Sequence, residues 1–324
     1  MILRFLKQWT LPVAIVVGTL TYILFAFVPQ LDAAGNELGK VMDVLLPVML
    51  FLTLFVTFSK VDFHKMRPRR WHLWLVISQF LLVALVIGII TFVSNNAQQK
   101  LIWEAVLTCV IAPCASAAPV VTAKLGGNIH TMTTYTLLSS LLCAVTIPLV
   151  FPLLEKSESV TFFEASMTIL QKLAIVMLLP LFLGWTVSHY VPRIYKYIVN
   201  HPDLGFYCWS GALAITTGIT VKNIFHANAG ITLLLWIALL SMIICIIQFA
   251  IGRGIGRIFH ERINCGQGMF QKNTGMAIWI AYSYLSPVSS IGAGCYVLWQ
   301  NIINSYELAH FTNTPSESPH SYNG

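Results

Sequence analysis

The hydrophobic positions of this chain fall in long blocks rather than in stripes. Apolar stretches of membrane length lie at about Leu11 to Val28, Val41 to Phe58, Trp71 to Val93, Trp103 to Ala123, Thr131 to Phe151, Phe163 to Val187, Phe206 to Val221, Gly230 to Ile251, Gly266 to Leu285 and Val288 to Tyr306. A hydrocarbon layer about 30 Å thick takes about 20 apolar residues of helix, so the blocks predict an all-α membrane protein with ten transmembrane helices. Prolines and glycines inside several blocks break a helix in water. A membrane helix tolerates them where neighbours or a cavity satisfy the freed backbone groups.

Two blocks stand apart. The fourth carries Ala112-Pro113-Cys114-Ala115-Ser116-Ala117-Ala118-Pro119, two prolines in a run of small side chains, and the ninth carries the polar, glycine-rich Gly266-Gln267-Gly268-Met269-Phe270-Gln271-Lys272-Asn273-Thr274-Gly275. Each predicts a broken helix. They are the fourth members of the first and second sets of five, and an odd-numbered repeat places its second copy upside down in a bilayer. The pattern predicts two inverted five-helix repeats, over residues 1–151 and 163–306, with helices 4 and 9 broken. Paired interruptions of this kind point to the central site of a secondary transporter.

Composition agrees with the blocks. Of 324 residues, 57% are hydrophobic and 10% charged, against roughly 25% charged in a soluble domain. There is no room for a sizeable soluble domain, so function resides inside the bundle. The polar stretch 311–324, rich in Ser, Pro and Asn, is predicted to be a disordered tail. Met1 to Trp9 is a short basic segment ahead of a retained first helix, with no small-residue cleavage site.

A net charge of +7 suggests nucleic acid in a soluble protein, but here its placement sets orientation instead. With the N terminus inside, the cytoplasmic segments collect Arg4, Lys7, Lys60, Lys65, Arg67, Arg69, Arg70, Lys124, Arg193, Lys196, Arg253, Arg257 and Arg262. The other side receives only Lys40, Lys100, Lys156 and Lys222, while Lys172 and Lys272 fall within spans. By the positive-inside rule both termini face the cytoplasm, as in a multi-pass protein of a cell inner membrane. The partner implied is the lipid bilayer.

The seven cysteines lie singly, without CxxC spacing, and the nine histidines scatter over loops and span ends. Neither a disulfide framework nor a metal site is indicated. No GxSxG, HExxH, P-loop or paired intramembrane aspartate occurs, so the chain lacks the chemistry of an intramembrane enzyme and no cofactor is expected.

Four pieces of sequence carry a resemblance to the bile acid:sodium symporter family. They are Phe58-Ser59-Lys60-Val61-Asp62-Phe63 before a basic loop, Ser78-Gln79-Phe80 in the third span, Pro113 to Asn128 ending in Lys124-Leu125-Gly126-Gly127-Asn128, and Asn273-Thr274-Gly275-Met276-Ala277 followed by Trp299-Gln300-Asn301-Ile302. The likeness covers about residues 10 to 306. It implies a secondary transporter of small organic anions. It also implies a panel of spans one, two, six and seven (about 11–58 and 163–221) and a core of the other six (about 71–151 and 230–306). In that core, helices 4 and 9 cross where they unwind.

The resemblance also exposes a departure. Where the family's fourth span supplies a Ser and an Asn to sodium, this chain has Ala118 and Pro119, and a later Ser and Thr correspond to Met132 and Thr136, of which only Thr136 is kept. In the ninth span the family's Glu becomes Gly268 and its Gln becomes Lys272, while the third-span glutamine is retained as Gln79. Sodium is a hard cation that needs oxygen ligands in exchange for the water it sheds. All twelve acidic residues fall in loops, tails or near span ends, so no midplane carboxylate remains, and sodium is not expected as the coupling ion.

Lys272 stands where a sodium ligand would be. A tethered ammonium there supplies the missing positive charge and can donate to Gln79 and to carbonyls freed by the break, leaving transport uniport-like or coupled in another way. Two further roles are compatible: with the exposed helix N-termini Lys272 makes an electropositive pocket for an anion, or it carries a proton. The plain alternative is a snorkelling lysine, because a ninth helix starting near Gly266 puts Lys272 only about 9 Å deep.

The remaining polar residues have equally plain alternatives. Pro113 and Pro119 can merely kink a packed helix, and Gln79, Thr136, Gln271, Asn273 and Thr274 can merely bond neighbouring helices. Trp299, Gln300 and Asn301 read as packing and helix–helix hydrogen bonds, and Lys172 as a snorkeller. The candidate substrate or coupling site is Lys272, Gln79, Asn273, Thr274, Gln271, Thr136, Pro113, Ser116 and Pro119. Trp209, Thr216, Thr217 and Asn223 are candidates to line the panel side of the cavity. The function expected is alternating-access transport of a small organic anion without the family's standard sodium sites. A receptor or scaffold that keeps a transporter fold is the alternative.

Overall fold

The computed structural model of the chain describes residues 10–61, 65–154, 161–201, 203–226 and 230–313. Met1 to Trp9, Asp62 and Phe63 of the first quoted motif, and the tail from residue 314 onward lie outside the described residues. The first half of the chain forms α1 (Thr10–Phe27), α2 (Asp32–Ser59), α3 (Arg70–Phe92), α4 (Ala97–Ile111), α5 (Ala118–Lys124) and α6 (Ile129–Leu154). In the second half α7 (Phe162–Leu173) runs through a π turn (Ala174–Leu178) into α8 (Leu179–Tyr190). After it come α9 (Pro192–Asn200), α10 (Leu204–His226), α11 (Ile231–Ile258), α12 (Arg262–Phe270), α13 (Thr274–Tyr284) and α14 (Pro287–Asn313). No strand is present among the described residues.

Five helical stretches are long and apolar enough to cross a bilayer: Ala33–Ser59, Arg70–Phe92, Ile129–Leu154, Phe162–Tyr190 and Ile231–Ile258. Their outer faces suit lipid. Leu81, Leu85 and Phe92 on α3 and Leu235, Trp236 and Ile246 on α11 are exposed large apolar side chains, which a protein surrounded by water does not present in such numbers.

Helix boundaries differ from the apolar blocks in informative ways. The second and fourth helices begin at Asp32 and Ala97, well before the blocks at Val41 and Trp103, because polar turns remain helical outside the hydrocarbon. Asn96 caps α4 by accepting a hydrogen bond from the Gln99 amide at 2.9 Å, one of the orphan donors of a helix start. The ninth block is broken later than its glycines suggest. Gly266 and Gly268 lie inside α12, and the helix stops only at Gln271. A Cβ on Gly268 would lie 3.0 Å from Leu75 and Tyr135, so this glycine permits close packing of helices and does not unwind one. The last helix continues to Asn313, so residues 311–313 of the expected tail are helical. The short helix α9, absent from the block pattern, follows α8 after Val191 alone.

The Lys124-to-Asn128 motif acquires a structural reason. Gly126 takes φ 80°, a conformation that favours glycine, and a Cβ on Gly127 would lie 2.5 Å from Asn264 Oδ1. Asn264 Oδ1 accepts from the Asn128 amide at 2.9 Å, and Asn264 Nδ2 donates to the Asn128 carbonyl at 2.8 Å and to Thr131 Oγ1 at 3.0 Å. One buried amide thus clasps the start of α6 to α12.

Candidate functional site

The two helix breaks meet. Ala112 to Ala117 separate α4 from α5, Gln271 to Asn273 separate α12 from α13, and Cys114 pairs with Lys272 in an isolated antiparallel bridge. The Ala115 amide donates to the Gln271 carbonyl and the Asn273 amide to the Pro113 carbonyl, both at 2.8 Å. Backbone groups freed by one break are therefore satisfied by the other, which is what irregular backbone at membrane depth requires.

Side chains from four other helices complete the job. The Cys114 amide donates to Ser139 Oγ at 2.9 Å and the Lys272 amide to Gln300 Oε1 at 3.0 Å. The carbonyls ending the first half-helices are taken in the same way. Cys143 Sγ donates to Ile111 O at 3.0 Å, and Tyr296 Oη donates to Phe270 O at 2.7 Å. Gln79 Nε2 reaches Ile111 O at 3.4 Å, Ala112 O at 3.3 Å and Cys143 Sγ at 3.6 Å. Its counterpart Gln248 Nε2 donates to Cys109 O at 3.3 Å and to Tyr296 Oη at 3.0 Å. Gln248 was legible as the lone amide of an apolar span. Tyr296, Ser139 and Cys143 gave no signal, because nothing near them in sequence marks the distant carbonyl or amide each one meets.

Lys272 is 1% exposed, and its Nζ is buried with no hydrogen-bond partner among the described residues. It lies ten residues into the ninth segment, counting from Arg262, not six, and its side chain stays inside the protein, which overturns the snorkelling alternative. The expected bond to Gln79 is also not formed. The Gln79 amide group turns its NH2 to the carbonyls ending α4, and its Oε1 is itself left without a partner. The Lys272 backbone is paired with Cys114, between the ends of α4 and α12.

The other candidates are placed as follows. Thr136 Oγ1 donates to Met132 O at 3.0 Å and to Cys114 Sγ at 3.7 Å. Asn273 Oδ1 caps α13 by accepting from the Met276 amide at 3.2 Å, and the Thr274 amide donates to Lys272 O at 2.9 Å. Pro119 falls in the first turn of α5, where its missing N–H costs nothing. Ala118 and Met132 pack in one apolar cluster with Trp71, Leu75, Cys114, Tyr135 and Met269. Apolar side chains therefore surround Ala118 and Met132. Trp299 Nε1 donates to Ala238 O at 3.1 Å, and Lys172 lies 5.2 Å above the ring of Tyr284.

Two cavities are present among the described residues, of which the first adjoins this arrangement. A small one of about 40 Å³, room for a water molecule, is lined by Ser116, Gln271, Lys272, Thr274, Gln300 and, from α10, Trp209 and Thr216 among others. A larger one of about 890 Å³ lies among α1, α2 and α10, with Lys40, Asp43, Lys222, His226 and Tyr282 on its wall. Asn223 is buried and donates to Ser290 Oγ at 2.8 Å, and Thr217 lines neither cavity. Among the described residues no group of three or more His, Cys, Asp or Glu is arranged to hold a metal ion.

A comparison with curated proteins finds no match. The family comparison does: residues 13–298 match the SBF-like CPA transporter family, a family of the bile acid:sodium symporter type. The match spans most of the chain, and with the paired breaks already described it makes this protein a member of the SBF-like CPA transporter family, a multi-pass membrane transporter.

Proposed function

We propose that the chain crosses the bilayer ten times as two inverted repeats, residues 1–151 and 163–306. In this reading both termini are cytoplasmic, the membrane is a cell inner membrane, and a small organic anion is carried by alternating access of a core (about 71–151 and 230–306) against a panel (about 11–58 and 163–221). The observation that carries the mechanism is the buried, unpartnered Nζ of Lys272 at the bridge joining the two breaks. Both α4 and α12 end there, and a helix C-terminus carries roughly half a negative charge. A cation close to those two ends is stabilised. Lys272 supplies a tethered ammonium where relatives in the wider family use sodium, and Gln79, Thr136, Pro113, Ser116, Pro119, Gln271, Asn273 and Thr274 shape the break around it. Sodium has no role in this reading. The apolar packing of Ala118 and Met132 supports that.

The substrate meets the panel side. Lys222 and Asp43 lie on the wall of the larger cavity with Lys40, which is paired with Glu37 at 2.6 Å, and the resemblance to carriers of organic anions supports an anionic solute. Uptake of organic anions into proteoliposomes, in sodium and in choline, tests the reading. Sodium-independent uptake is the expected result. Binding without flux would instead mark a receptor or scaffold on a transporter fold, and uptake that needs sodium would remove the role given to Lys272.

A further inference from the structure

The short helix α9, Pro192-Arg-Ile-Tyr-Lys-Tyr-Ile-Val-Asn200, divides its surface three ways. Ile198 is buried against Val56 and Val187, with Tyr195 and Val191 packed beside it. On the opposite side Arg193, Lys196 and Asn200 are exposed, and no acidic residue lies on the helix. Between these two faces Val199 is 45% exposed on one flank, and along the other Ile194 is 46% and Tyr197 57% exposed, one helical turn apart. A helix on a water-facing surface has no use for that flank. A helix lying at the membrane interface does: protein on one side, water on the other and acyl chains along the flank between them.

The neighbours fit the same level. α9 follows α8 after one residue, at the end of the continuous Phe162–Tyr190 stretch that is long enough to span. Trp185 and Tyr190 in its last turns are exposed, as aromatic side chains are where lipid meets water. We infer that α9 is an interfacial anchor that seats Ile194 and Tyr197 in the acyl boundary and holds anionic phospholipid headgroups with Arg193 and Lys196. One lysine or arginine near an anionic surface contributes about a fivefold preference, so the pair gives roughly 30-fold for an anionic over a zwitterionic headgroup. Such an anchor holds the helices carrying it level in the bilayer while others move, and makes the protein sensitive to membrane charge.

The test uses the full-length protein in phosphatidylcholine nanodiscs with increasing phosphatidylglycerol. Thermal stability should rise with phosphatidylglycerol, and Arg193→Gln/Lys196→Gln should remove most of that rise without changing stability in phosphatidylcholine alone. A fluorescent label at Ile194→Cys or Tyr197→Cys, corrected for labelling of the unsubstituted protein, should be quenched by acyl-brominated lipid. The same label at Asn200→Cys should not be. Indifference to phosphatidylglycerol, a rise that survives in the double variant, or equal quenching at all three positions would overturn the anchor. So would a dimer that dissociates in the double variant, which would make this face a contact between copies.

Discussion

Cys114 and Lys272 face each other across a single antiparallel bridge at the point where two helices stop. In such a bridge the paired side chains leave the backbone on the same side. The bridge therefore fixes a lysine beside a thiol in the interior and orders the residues on either side of it. Two reciprocal amide bonds and four helix side chains take up backbone groups freed at the breaks.

Tyr296→Phe tests the support of the second break. The substitution keeps the ring and removes the hydroxyl that donates to Phe270 O and accepts from Gln248. Phe270 O loses its side-chain donor and Gln248 Nε2 keeps only Cys109 O, a loss of about 1–3 kcal/mol. Thermal unfolding should shift down accordingly, and Gln248→Leu, which removes the other end of the Gln248–Tyr296 bond, should cost less on the Tyr296→Phe background than in the unsubstituted protein.

Gly127→Ala tests the clasp between α6 and α12. Its methyl would meet Asn264 Oδ1, Thr122 Cγ2 at 2.6 Å and Ile263 Cγ2 at 3.1 Å. An overpacked site of this kind costs about 1–3 kcal/mol. Asn264→Ala, which leaves the Asn128 amide without its acceptor, should cost a similar amount, and the double variant less than the sum.

The fold was legible where helices are long and apolar, because length alone distinguishes a span. The fourth-span break was legible from Pro113 and its small neighbours. Its ninth-span partner was misplaced by several residues, because Gly266 and Gly268 serve close packing and leave helix hydrogen bonds intact. Helix α9 was missed because nine residues with two cations look like any basic connection. Of the candidate site, Lys272, Gln271 and Asn273 lie at the bridge and Gln79 and Thr136 lie around it. Tyr296 and Ser139 were invisible, since what gives them a role is a carbonyl or amide far away in sequence.

Asn223 and Ser290 give a handle on movement. Their 2.8 Å hydrogen bond joins α10 to α14, the two groups of helices proposed to move against each other. Asn223→Ala and Ser290→Ala should each change the rate of uptake, and the double variant should behave like either single one. Rates that simply multiply would show that the bond is not broken during transport.

Glu261, between α11 and α12, adds a pH dependence. Partial burial raises its pKa, and Arg69 opposes the shift. A carboxyl whose pKa is higher in the folded state contributes stability at low pH that is lost as pH rises through the folded value, a window just above the ordinary glutamate range of about 4.3. Melting temperatures followed across that window should fall less with rising pH in Glu261→Gln than in the unsubstituted protein.

The most direct test of the tethered cation is thermal unfolding of the purified protein in sodium and in choline at matched ionic strength, with Lys272→Gln alongside. An ion that binds only the folded state must raise the melting temperature by mass action. The account predicts no difference between the two salts for the unsubstituted protein and a lower melting temperature for Lys272→Gln. Stabilisation of the unsubstituted protein by sodium, or a Lys272→Gln variant that melts unchanged, would contradict it.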